Sequence, residues 1–294
     1  MNTKNTNGLS KPNIAVFTAG GFNNLDAMYD GLVGSTFTTV VLWSSSVDTS
    51  GNFQIRNIGL PGSSMASNGV FNPTNDPQIA AWQQKVLGLK TADTSIARVE
   101  LSIGVGSYTN KTGQPVIDPS FPNIKAIYES EQLFATTLIL NLQAIQRALN
   151  IDAVCFDDEV AFDHPSSLWL AQACGLLGMT VSISPCGSSQ KYWGELVTAA
   201  NSKARLIDAV YLQAWTSGCS GWILGGLNPV AGMYIDNPDL AKHIAPIDAT
   251  NQLQTWQKGS TILAGGWYYN AGEILGNPAL GTFSEYSNAI RTAF

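Results

Sequence analysis

The 294-residue sequence has few charged side chains and almost no histidine. Charged residues make up 12% of it, about half the roughly 25% share of a typical soluble protein. The surface must therefore rely on neutral polar side chains, which favours neutral, hydroxyl-rich ligands. The net charge of −6 argues against nucleic-acid binding, which needs a basic surface, and against a polybasic contact with a membrane.

The scarcity of histidine restricts the chemistry further. Because only His164 and His243 occur, a Ser-His-Asp triad or a site with several histidine ligands is nearly excluded. Acid–base chemistry must then depend on carboxylates. We expect neither a cofactor nor a resident metal.

Cysteines are few, and long apolar runs are absent. Cys155, Cys174, Cys186 and Cys219 are irregularly spaced without a C-x-x-C pair, which predicts buried free thiols. No run of 18 apolar residues predicts a membrane span. Residues 1–12 lack the apolar segment of a signal peptide, so we expect a disordered tail there. The protein is then expected in the cytoplasm, or outside the cell by a route that needs no such signal.

Short apolar segments recur along the chain, and stretches with helical periodicity separate them. Near-continuous apolar runs are typical of parallel strands covered on both faces. This alternation predicts an α/β fold, a single-domain (β/α)8 TIM barrel over residues 13–294. The alternative, a doubly wound open sheet, would favour a glycine-rich nucleotide loop, and neither that loop nor a P-loop is present. The predicted strands are 13–19, 38–45, 98–105, 151–158, 179–185, 207–215, 230–236 and 260–268.

Helices are predicted in the intervals between these strands. The longest is predicted over residues 130–150, where apolar residues recur every three to five positions. The Ser-, Asn- and Gly-rich stretch 46–76 is long for a loop, and in a barrel we expect it on or over the active-site face. The other predicted helices are 76–90, 165–177, 190–200 and 284–294.

The most informative segment is residues 151–162, IDAVCFDDEVAF. Side chains alternate along a strand, so Asp157 and Glu159 face one way and share that side with Cys155. If that side is the barrel interior, two carboxyl groups lie at the C-terminal mouth, where barrel enzymes carry out chemistry. Two nearby carboxylates raise one pKa, which yields an acid able to protonate a glycosidic oxygen. Asp158 then points toward the helix layer and needs a hydrogen-bond donor.

Two other interpretations of this acidic segment stay open. Three adjacent acidic residues also occur at solvated strand ends without any function. Carboxylates at strand ends also hold Mg²⁺ well, which would give a metal-dependent barrel enzyme with Asp157 and Glu159 as ligands. Loss of activity with a chelator would identify that case.

The segment resembles the fourth-strand motif D-G-x-D-x-D-x-E of glycoside hydrolase family 18, the chitinases and endo-β-N-acetylglucosaminidases. Asp152, Asp157 and Glu159 match the first Asp, the third Asp and the Glu. Ala153 replaces the Gly, and Cys155 replaces the second Asp.

The resemblance extends to other strands in the family's order. Residues 102–105 (SIGV) keep three of four features of the family's S-x-G-G motif, and residues 106–108 (GSY) resemble the plant-type chitinase branch. Gln213 matches the Gln of a Gln-x-Tyr pair on strand six, where Trp215 replaces Tyr. Trp267 corresponds to the Trp that floors the sugar site on strand eight.

This resemblance implies retaining, substrate-assisted hydrolysis of β-1,4-linked N-acetylglucosamine glycans of the chitin type. It implies that Glu159 protonates the leaving oxygen and that the substrate's own 2-acetamido carbonyl attacks the anomeric carbon. Asp157 would orient the acetamido N–H. The implied partner is an oligo- or polysaccharide that contains N-acetylglucosamine, and the sequence does not define the oligomeric state.

The resemblance also implies a set of substrate-binding residues. Gln213, with Tyr211 or Trp215, would hold the acetamido group, and Trp267 would stack under the sugar. Of Tyr268 and Tyr269, at most one can join the site because neighbours on a strand face opposite ways. Three more aromatic residues near strand ends are candidate sugar contacts, with core packing as the alternative: Trp43, Tyr108 and Trp222.

Two departures from the family pattern bear on catalysis. A thiol is a weak donor and acceptor, so Cys155 cannot share a proton with Asp157 as a carboxyl would. Trp215 lacks the hydroxyl of Tyr, and loss of one such donor costs about 3 kcal/mol, or about a hundredfold in rate. We therefore expect weak or altered activity, and the rival interpretation is a non-catalytic chitinase-like lectin.

Overall fold

The structure is a computed structural model of the chain. Of residues 107–109, 115, 131, 217, 237 and 242 only the backbone is described. The structure describes residues 11–19, 25–55, 63–72, 77–91, 93–104, 107–109, 115–131, 136–187, 189–237, 242–259, 262–277 and 279–294.

Strands and helices alternate along the described residues. The strands are β1 (Asn13–Phe17), β2 (Thr39–Val47), β3 (Phe53–Ile55), β4 (Ser63–Ser67), β5 (Val70–Phe71), β6 (Arg98–Ile103), β7 (Ser107–Thr109), β8 (Pro115–Ile117), β9 (Ala153–Phe156), β10 (Thr180–Ile183), β11 (Ile207–Leu212), β12 (Val230–Met233), β13 (Asp236–Asn237), β14 (Lys242–His243) and β15 (Gly265–Tyr268). The helices are α1 (Leu25–Val33), α2 (Pro77–Thr91), α3 (Ser120–Glu131), α4 (Thr137–Leu149), α5 (His164–Leu176), α6 (Gln190–Ala200), α7 (Ala214–Ser217), α8 (Pro246–Gln257), α9 (Ala271–Gly276) and α10 (Phe283–Ala293).

Eight of the described strands run parallel and close into a barrel. Starting from β1, the order is β1, β2, β6, β9, β10, β11, β12 and β15. β15 pairs back with β1, with Asn13 opposite Gly265 and Val16 opposite Tyr268, which closes the ring. The predicted (β/α)8 TIM barrel is confirmed, and the open-sheet alternative is wrong.

The predicted strands are all present, but most end earlier than predicted. The third, predicted over 98–105, ends at Ile103 because the chain turns at Gly104. Gly104 has a φ of +87°, in the left-handed region that favours glycine. A Cβ there would lie 2.9 Å from the backbone oxygen of Asp157. Glycine at this position therefore lets the ends of β6 and β9 approach each other closely at the mouth.

Two predicted elements differ from the structure. The helix predicted over 130–150 is described as α4 from Thr137 onward, and residues 132–135 lie outside the described part. Thr136 caps the N-terminus of α4 by accepting a hydrogen bond from the backbone N–H of Ile139. Apolar periodicity does not reveal this start of the helix. The stretch 46–76, predicted as a loop, contains β3, β4 and β5, which extend β2 as antiparallel strands.

The other long predicted helices agree closely with the structure. Those predicted over 165–177, 190–200 and 284–294 are observed as α5, α6 and α10, with bounds that differ by at most one residue. Two of them begin at a recognisable start signal, the proline in the first turn of α5 and the capping box of α10.

Two hydrophobic clusters hold the barrel together. The larger one fills the layer between the strands and the helices. The smaller one fills the barrel interior directly below the mouth, where its aromatic rings support the site. Its fully buried members are Ala15, Phe17, Val41, Cys155, Tyr211, Val230 and Trp267.

The cysteines are free thiols, as predicted. Cys155, Cys174 and Cys219 are buried, and Cys186 is half-buried. As for membranes, no helix within the described residues combines the length and the apolar character that a membrane crossing requires.

Candidate active site

The acidic residues after β9 form the centre of the site. Asp157 is 4% exposed at the mouth of the barrel, and Glu159 is half-buried two residues further along the chain. Gln213, at the end of β11, reaches both of them. Its Nε2 donates to Oδ1 of Asp157 at 3.2 Å and to Oε1 of Glu159 at 2.7 Å. Two carboxyl groups that follow β9 are thus joined by one amide that follows β11.

The orientation of the Gln213 amide follows from its surroundings. The same nitrogen lies 3.2 Å from the backbone oxygen of Ser184, so three acceptors surround it. The amide nitrogen, which donates two N–H groups, suits this place better than the amide oxygen, because the carbonyl and an ionised carboxylate can only accept. Gln213 therefore presents N–H groups to the carboxyl pair.

Burial makes both carboxyl groups weaker acids. Burial raises the pKa of Asp157 well above its usual value, and the charge of Glu159 raises it further. Burial also raises the pKa of Glu159, while the hydrogen bond from Gln213 opposes this rise. Each carboxylate disfavours ionisation of the other, so the pair retains a proton more readily than isolated carboxyls. That property is the one required of a general acid.

Asp158 lies on the opposite side of the chain, as the alternation predicts. It is almost fully buried and accepts three backbone N–H groups, from Val160 at 3.0 Å, Ala161 at 2.8 Å and Phe162 at 2.8 Å. Burial raises its pKa, and these three donors oppose the rise. The donors that Asp158 needs are therefore supplied by the turn that follows Glu159, and that turn is held rigid.

Cys155 lies one layer below Asp157. It is fully buried and stands in register with Ser102 on β6 and with Ser182 on β10. Burial raises the pKa of its thiol well above the usual value, and nearby carboxylates raise it further. The group beneath Asp157 is therefore a neutral thiol.

A buried carboxylate that is not among the sequence-predicted residues lies deeper in the barrel. Glu100 on β6 is 0% exposed and accepts hydrogen bonds from Arg98 Nε, from the hydroxyl of Ser182 and, at 2.7 Å, from the hydroxyl of Tyr211. Arg98 also binds both carboxylate oxygens of Asp208, at 2.7 and 2.8 Å. An Arg and a Glu two residues apart in an apolar strand are the sequence signal that would have revealed this network.

Aromatic side chains line the mouth on the side of β2, β11, β12 and β15. The ring centroid of Trp215 lies 5.1 Å from that of Trp267, 5.5 Å from Tyr234 and 5.9 Å from Tyr269. Tyr269 in turn lies 5.1 Å from Trp43. We call these five residues the aromatic cluster. Tyr234 is not among the sequence-predicted residues, although strand alternation past the end of β12 would have placed it at the mouth.

Exposure differs within the aromatic cluster. Trp267 is 1% exposed, and its indole N–H donates to the backbone oxygen of Leu212 at 3.1 Å. Its ring packs against Phe17 at 4.2 Å, so it supports the cluster from below. Trp215, by contrast, is half-buried. Of the two neighbouring tyrosines, Tyr269 packs with the aromatic cluster at the mouth. Tyr268 is buried on the other side of β15, and its hydroxyl donates to a backbone oxygen on α10.

Trp43 presents a polar edge to the acidic pair. Its indole N–H lies near the carboxyl of Asp157 and opposes the rise in the pKa of that group. Among the described residues, no hydrogen bond of ordinary geometry engages this N–H. Trp43 therefore directs its buried indole N–H toward Asp157, while its ring packs against Tyr269.

Three sequence-predicted residues are not placed at the mouth. Tyr211 is fully buried one layer below Gln213, where its hydroxyl binds Glu100. Trp222 is buried in the cluster between the strands and the helices. Tyr108 lies in β7, and its side chain is outside the described part of the structure.

The donor set at the mouth suits proton chemistry better than Mg²⁺ binding. Mg²⁺ requires oxygen ligands in a near-octahedral arrangement, whereas Gln213 presents N–H groups to Asp157 and Glu159. Over the described ranges, no three His, Cys, Asp or Glu side chains are grouped as they would be to hold a metal ion.

Comparisons with known proteins place the chain by its fold rather than its sequence. No protein-family model matches it, and no curated protein matches it. A fungal endo-β-N-acetylglucosaminidase from glycosyl hydrolase family 18 is similar in structure, with a TM-score of 0.61 at 13% identity over 97% of this chain and 100% of that chain. A family GH18 chitinase from the fern Peteris ryukyuensis has a TM-score of 0.55 at 16% identity, covering 95% and 98%.

A class V chitinase from Nicotiana tobaccum, solved in complex with NAG4, is similar with a TM-score of 0.59 at 11% identity, covering 95% and 99%. At such identities the likeness shows a shared fold. A tryptophan synthase from M. tuberculosis also matches, with a TM-score of 0.50 at 12% identity. Since the barrel hosts unrelated reactions, function must be argued from the site.

Proposed function

We propose that the protein is a glycoside hydrolase of the family 18 type that cleaves β-1,4-linked N-acetylglucosamine glycans. The observation that carries this proposal is the joining of Asp157 and Glu159 by the amide of Gln213 at the C-terminal mouth of the barrel. The aromatic cluster beside this triad supplies flat apolar faces of the kind that pack against a sugar ring. The low charge of the chain fits a neutral substrate.

Glu159 is the general acid. Burial raises its pKa, so the protonated form persists toward neutral pH. Gln213 occupies Oε1 of Glu159, and Oε2 carries the proton that passes to the glycosidic oxygen as the bond to the anomeric carbon breaks. The hydrogen bond from Gln213 then stabilises the carboxylate that remains.

The substrate supplies its own nucleophile. The carbonyl oxygen of its 2-acetamido group bonds to the anomeric carbon as the leaving oxygen departs, and Asp157 accepts the acetamido N–H. Water then attacks the anomeric carbon, the carbon–oxygen bond to the acetamido group opens, and a proton from the water returns to Glu159. Two displacements at one carbon retain its configuration.

A second candidate function is a chitinase-like lectin that binds the glycan without cleaving it. The observation that favours it is the neutral, fully buried thiol of Cys155 beneath Asp157. A thiol is a poor proton partner, so Asp157 has no second carboxyl in that position with which to share a proton. The aromatic cluster would serve a lectin equally well.

Incubation with a chromogenic N-acetylchitooligosaccharide separates the two functions. A hydrolase releases the chromophore, and Glu159→Gln lowers the rate by about a hundredfold or more because a general acid contributes about 10²–10⁴. Binding without release indicates the lectin. Unchanged turnover in Glu159→Gln would overturn the hydrolase proposal, and loss of turnover with EDTA would favour a metal-dependent enzyme.

A further inference from the structure

Residues 158–162, which we call the acid turn, carry Glu159 from the end of β9 toward α5. The last hydrogen bond to the sheet is made by the backbone N–H of Asp157, which donates to the backbone oxygen of Ile103 at 3.0 Å. α5 begins only at His164. Within the described part of the chain, no hydrogen bond between backbone groups engages the acid turn. Its shape must therefore depend on side chains.

The side chain of Asp158 supplies these missing contacts. Its Oδ1 accepts the backbone N–H groups of Val160 at 3.0 Å and of Ala161 at 2.8 Å. The bond to Val160 closes an Asx turn, in which the side chain of one residue binds the N–H two residues further on. Glu159 is the central residue of that turn. The backbone on both sides of Glu159 is therefore tied to one buried carboxylate.

The same carboxylate holds the far end of the acid turn. Its Oδ2 accepts the backbone N–H of Phe162 at 2.8 Å. Phe162 has a φ of +44°, in the left-handed region that a bulky side chain rarely adopts. Its ring packs edge-on against Tyr192 of α6, with the centroids 5.3 Å apart. Asp158 thus connects the start of the acid turn to an end that is anchored on a helix.

The residue type at position 158 fits this task. A carboxylate offers two acceptor oxygens, whereas an amide or a hydroxyl offers one, so only Asp can hold all three N–H groups at this length. Asp158 is 1% exposed, and among the described residues no cation offsets the effect of burial on its pKa. The three backbone N–H groups are what compensates the buried carboxylate.

We propose that Asp158 is the positioning residue for the general acid: it fixes the backbone at Glu159 so that the carboxyl of Glu159 meets Gln213 and faces the glycosidic oxygen. The proposal rests on the proposed function. Asp158 does not touch the substrate and acts only through Glu159. A misplacement of about 1 Å costs about a hundredfold in rate, so the contact of 2.7 Å between Glu159 and Gln213 depends on this turn.

The test starts from Asp158→Ala, which removes all three acceptor contacts. On N-acetylchitohexaose its kcat should fall about a hundredfold. Its KM should stay within about threefold, because the aromatic cluster is untouched and the lost interaction acts in the transition state. An unchanged kcat, or a loss confined to KM, would overturn the proposal.

Replacement by Asn separates the shape of the turn from the charge of Asp158. Asp158→Asn keeps an oxygen for Val160 and Ala161, the two bonds that close around Glu159, and loses the charge. Its kcat should recover to within about tenfold of wild type, since one hydrogen bond is lost. An Asn variant as slow as Asp158→Ala would assign the loss to charge and overturn the positioning role.

Asp163→Ala is the matched control for stability. Asp163 also accepts a backbone N–H, that of Ser166 at 3.1 Å, and pairs with Lys125 at 3.2 Å, but it lies beyond the acid turn. Its loss should lower Tm and leave kcat within about twofold of wild type. If Asp158→Ala does not fold, Asp158→Ser takes its place, because a hydroxyl oxygen accepts a single N–H in a turn of this kind. The kcat values should then rank wild type, Asn, Ser, and any other order overturns the proposal.

A measurement that needs no turnover separates this proposal from the proposed function. In a crystal structure of Asp158→Ala or Asp158→Ser, Oε1 of Glu159 should lie more than about 3.5 Å from Nε2 of Gln213, beyond hydrogen-bond distance. If wild type does not cleave the hexamer, the hydrolase proposal fails and this distance alone judges the role of Asp158. A distance that stays at 2.7 Å would overturn that role.

Discussion

The barrel interior holds buried carboxylates at two levels, and their partners differ. At the lower level Glu100 contacts a guanidinium and two hydroxyls. At the mouth, Asp157 and Glu159 share an amide that carries no formal charge. The lower carboxylate is compensated by a positive charge, and the upper pair is not.

This difference gives the lower network a structural role and the upper pair a chemical one. Burial lowers the pKa of Arg98, but the carboxylates of Glu100 and Asp208 outweigh burial and raise it, so the lower network stays an ion pair that ties strands together. At the mouth, burial and mutual repulsion raise the pKa values of Asp157 and Glu159, so that level retains a transferable proton. Buried acidic residues are thus candidates for catalysis only where no cation neutralises them.

Removal of the lower cation should have the largest effect. Arg98→Met leaves Glu100 and Asp208 without their counter-charge, and breaking a buried pair in this way costs about 3–5 kcal/mol of the free energy of unfolding. Urea denaturation measures the loss. Arg291→Met, at an exposed site on α10, is the control and should change stability by less than about 0.5 kcal/mol. Equal stability of the two variants would mean that the lower network is not structural.

Neutralisation of the upper acid should affect rate and leave folding intact. Glu159→Gln keeps the side-chain shape but removes the proton, so kcat on a chitooligosaccharide should fall about a hundredfold or more. The urea midpoint should change little. Glu129→Gln, an exposed substitution on α3, should retain full activity. A drop in stability as large as that of Arg98→Met would show that the upper level is structural as well.

Loss of the shared amide should shift the pH dependence. The N–H of Gln213 lowers the pKa of Glu159, so Gln213→Leu should raise that pKa. The alkaline limb of kcat/KM, where the acid loses its proton, should then move to higher pH. A pH–rate profile of both proteins measures the shift. Movement to lower pH would contradict the role given to Gln213.

The smallest effect concerns stability against pH. Burial raises the folded-state pKa of Asp157 above its unfolded value of 3.8, so the folded protein binds the proton more tightly. The free energy of unfolding should therefore fall as pH rises from 3.8 through the raised pKa. Asp157→Asn should reduce this fall, whereas Asp30→Asn, on the exposed face of α1, should not. Urea denaturation across that pH range measures the free energy of unfolding. Identical slopes of that free energy against pH in wild type and Asp157→Asn would rule the effect out.

The side on which the acidic residues lie could be predicted, but their partners could not. Strand alternation places Asp157 and Glu159 together and Asp158 opposite, because that rule depends on local geometry alone. Gln213 comes from β11, which a further strand separates from β9, so its reach to both carboxyls depends on the curvature of the closed sheet. The same limit applies to Tyr211, whose depth in the barrel means that its hydroxyl binds Glu100 and does not reach the mouth.

By itself the sequence determined the alternation of strands and helices, the barrel, and the presence of an acid pair in a chain with little charge. These follow from apolar periodicity and side-chain alternation, which act over a few residues. Only the tertiary structure decided which buried carboxylate meets Arg98, which aromatic rings stay exposed and how Asp158 holds the turn that follows Glu159. Those outcomes depend on contacts between segments far apart in the chain, where burial and the partner's charge set the free energy of each group.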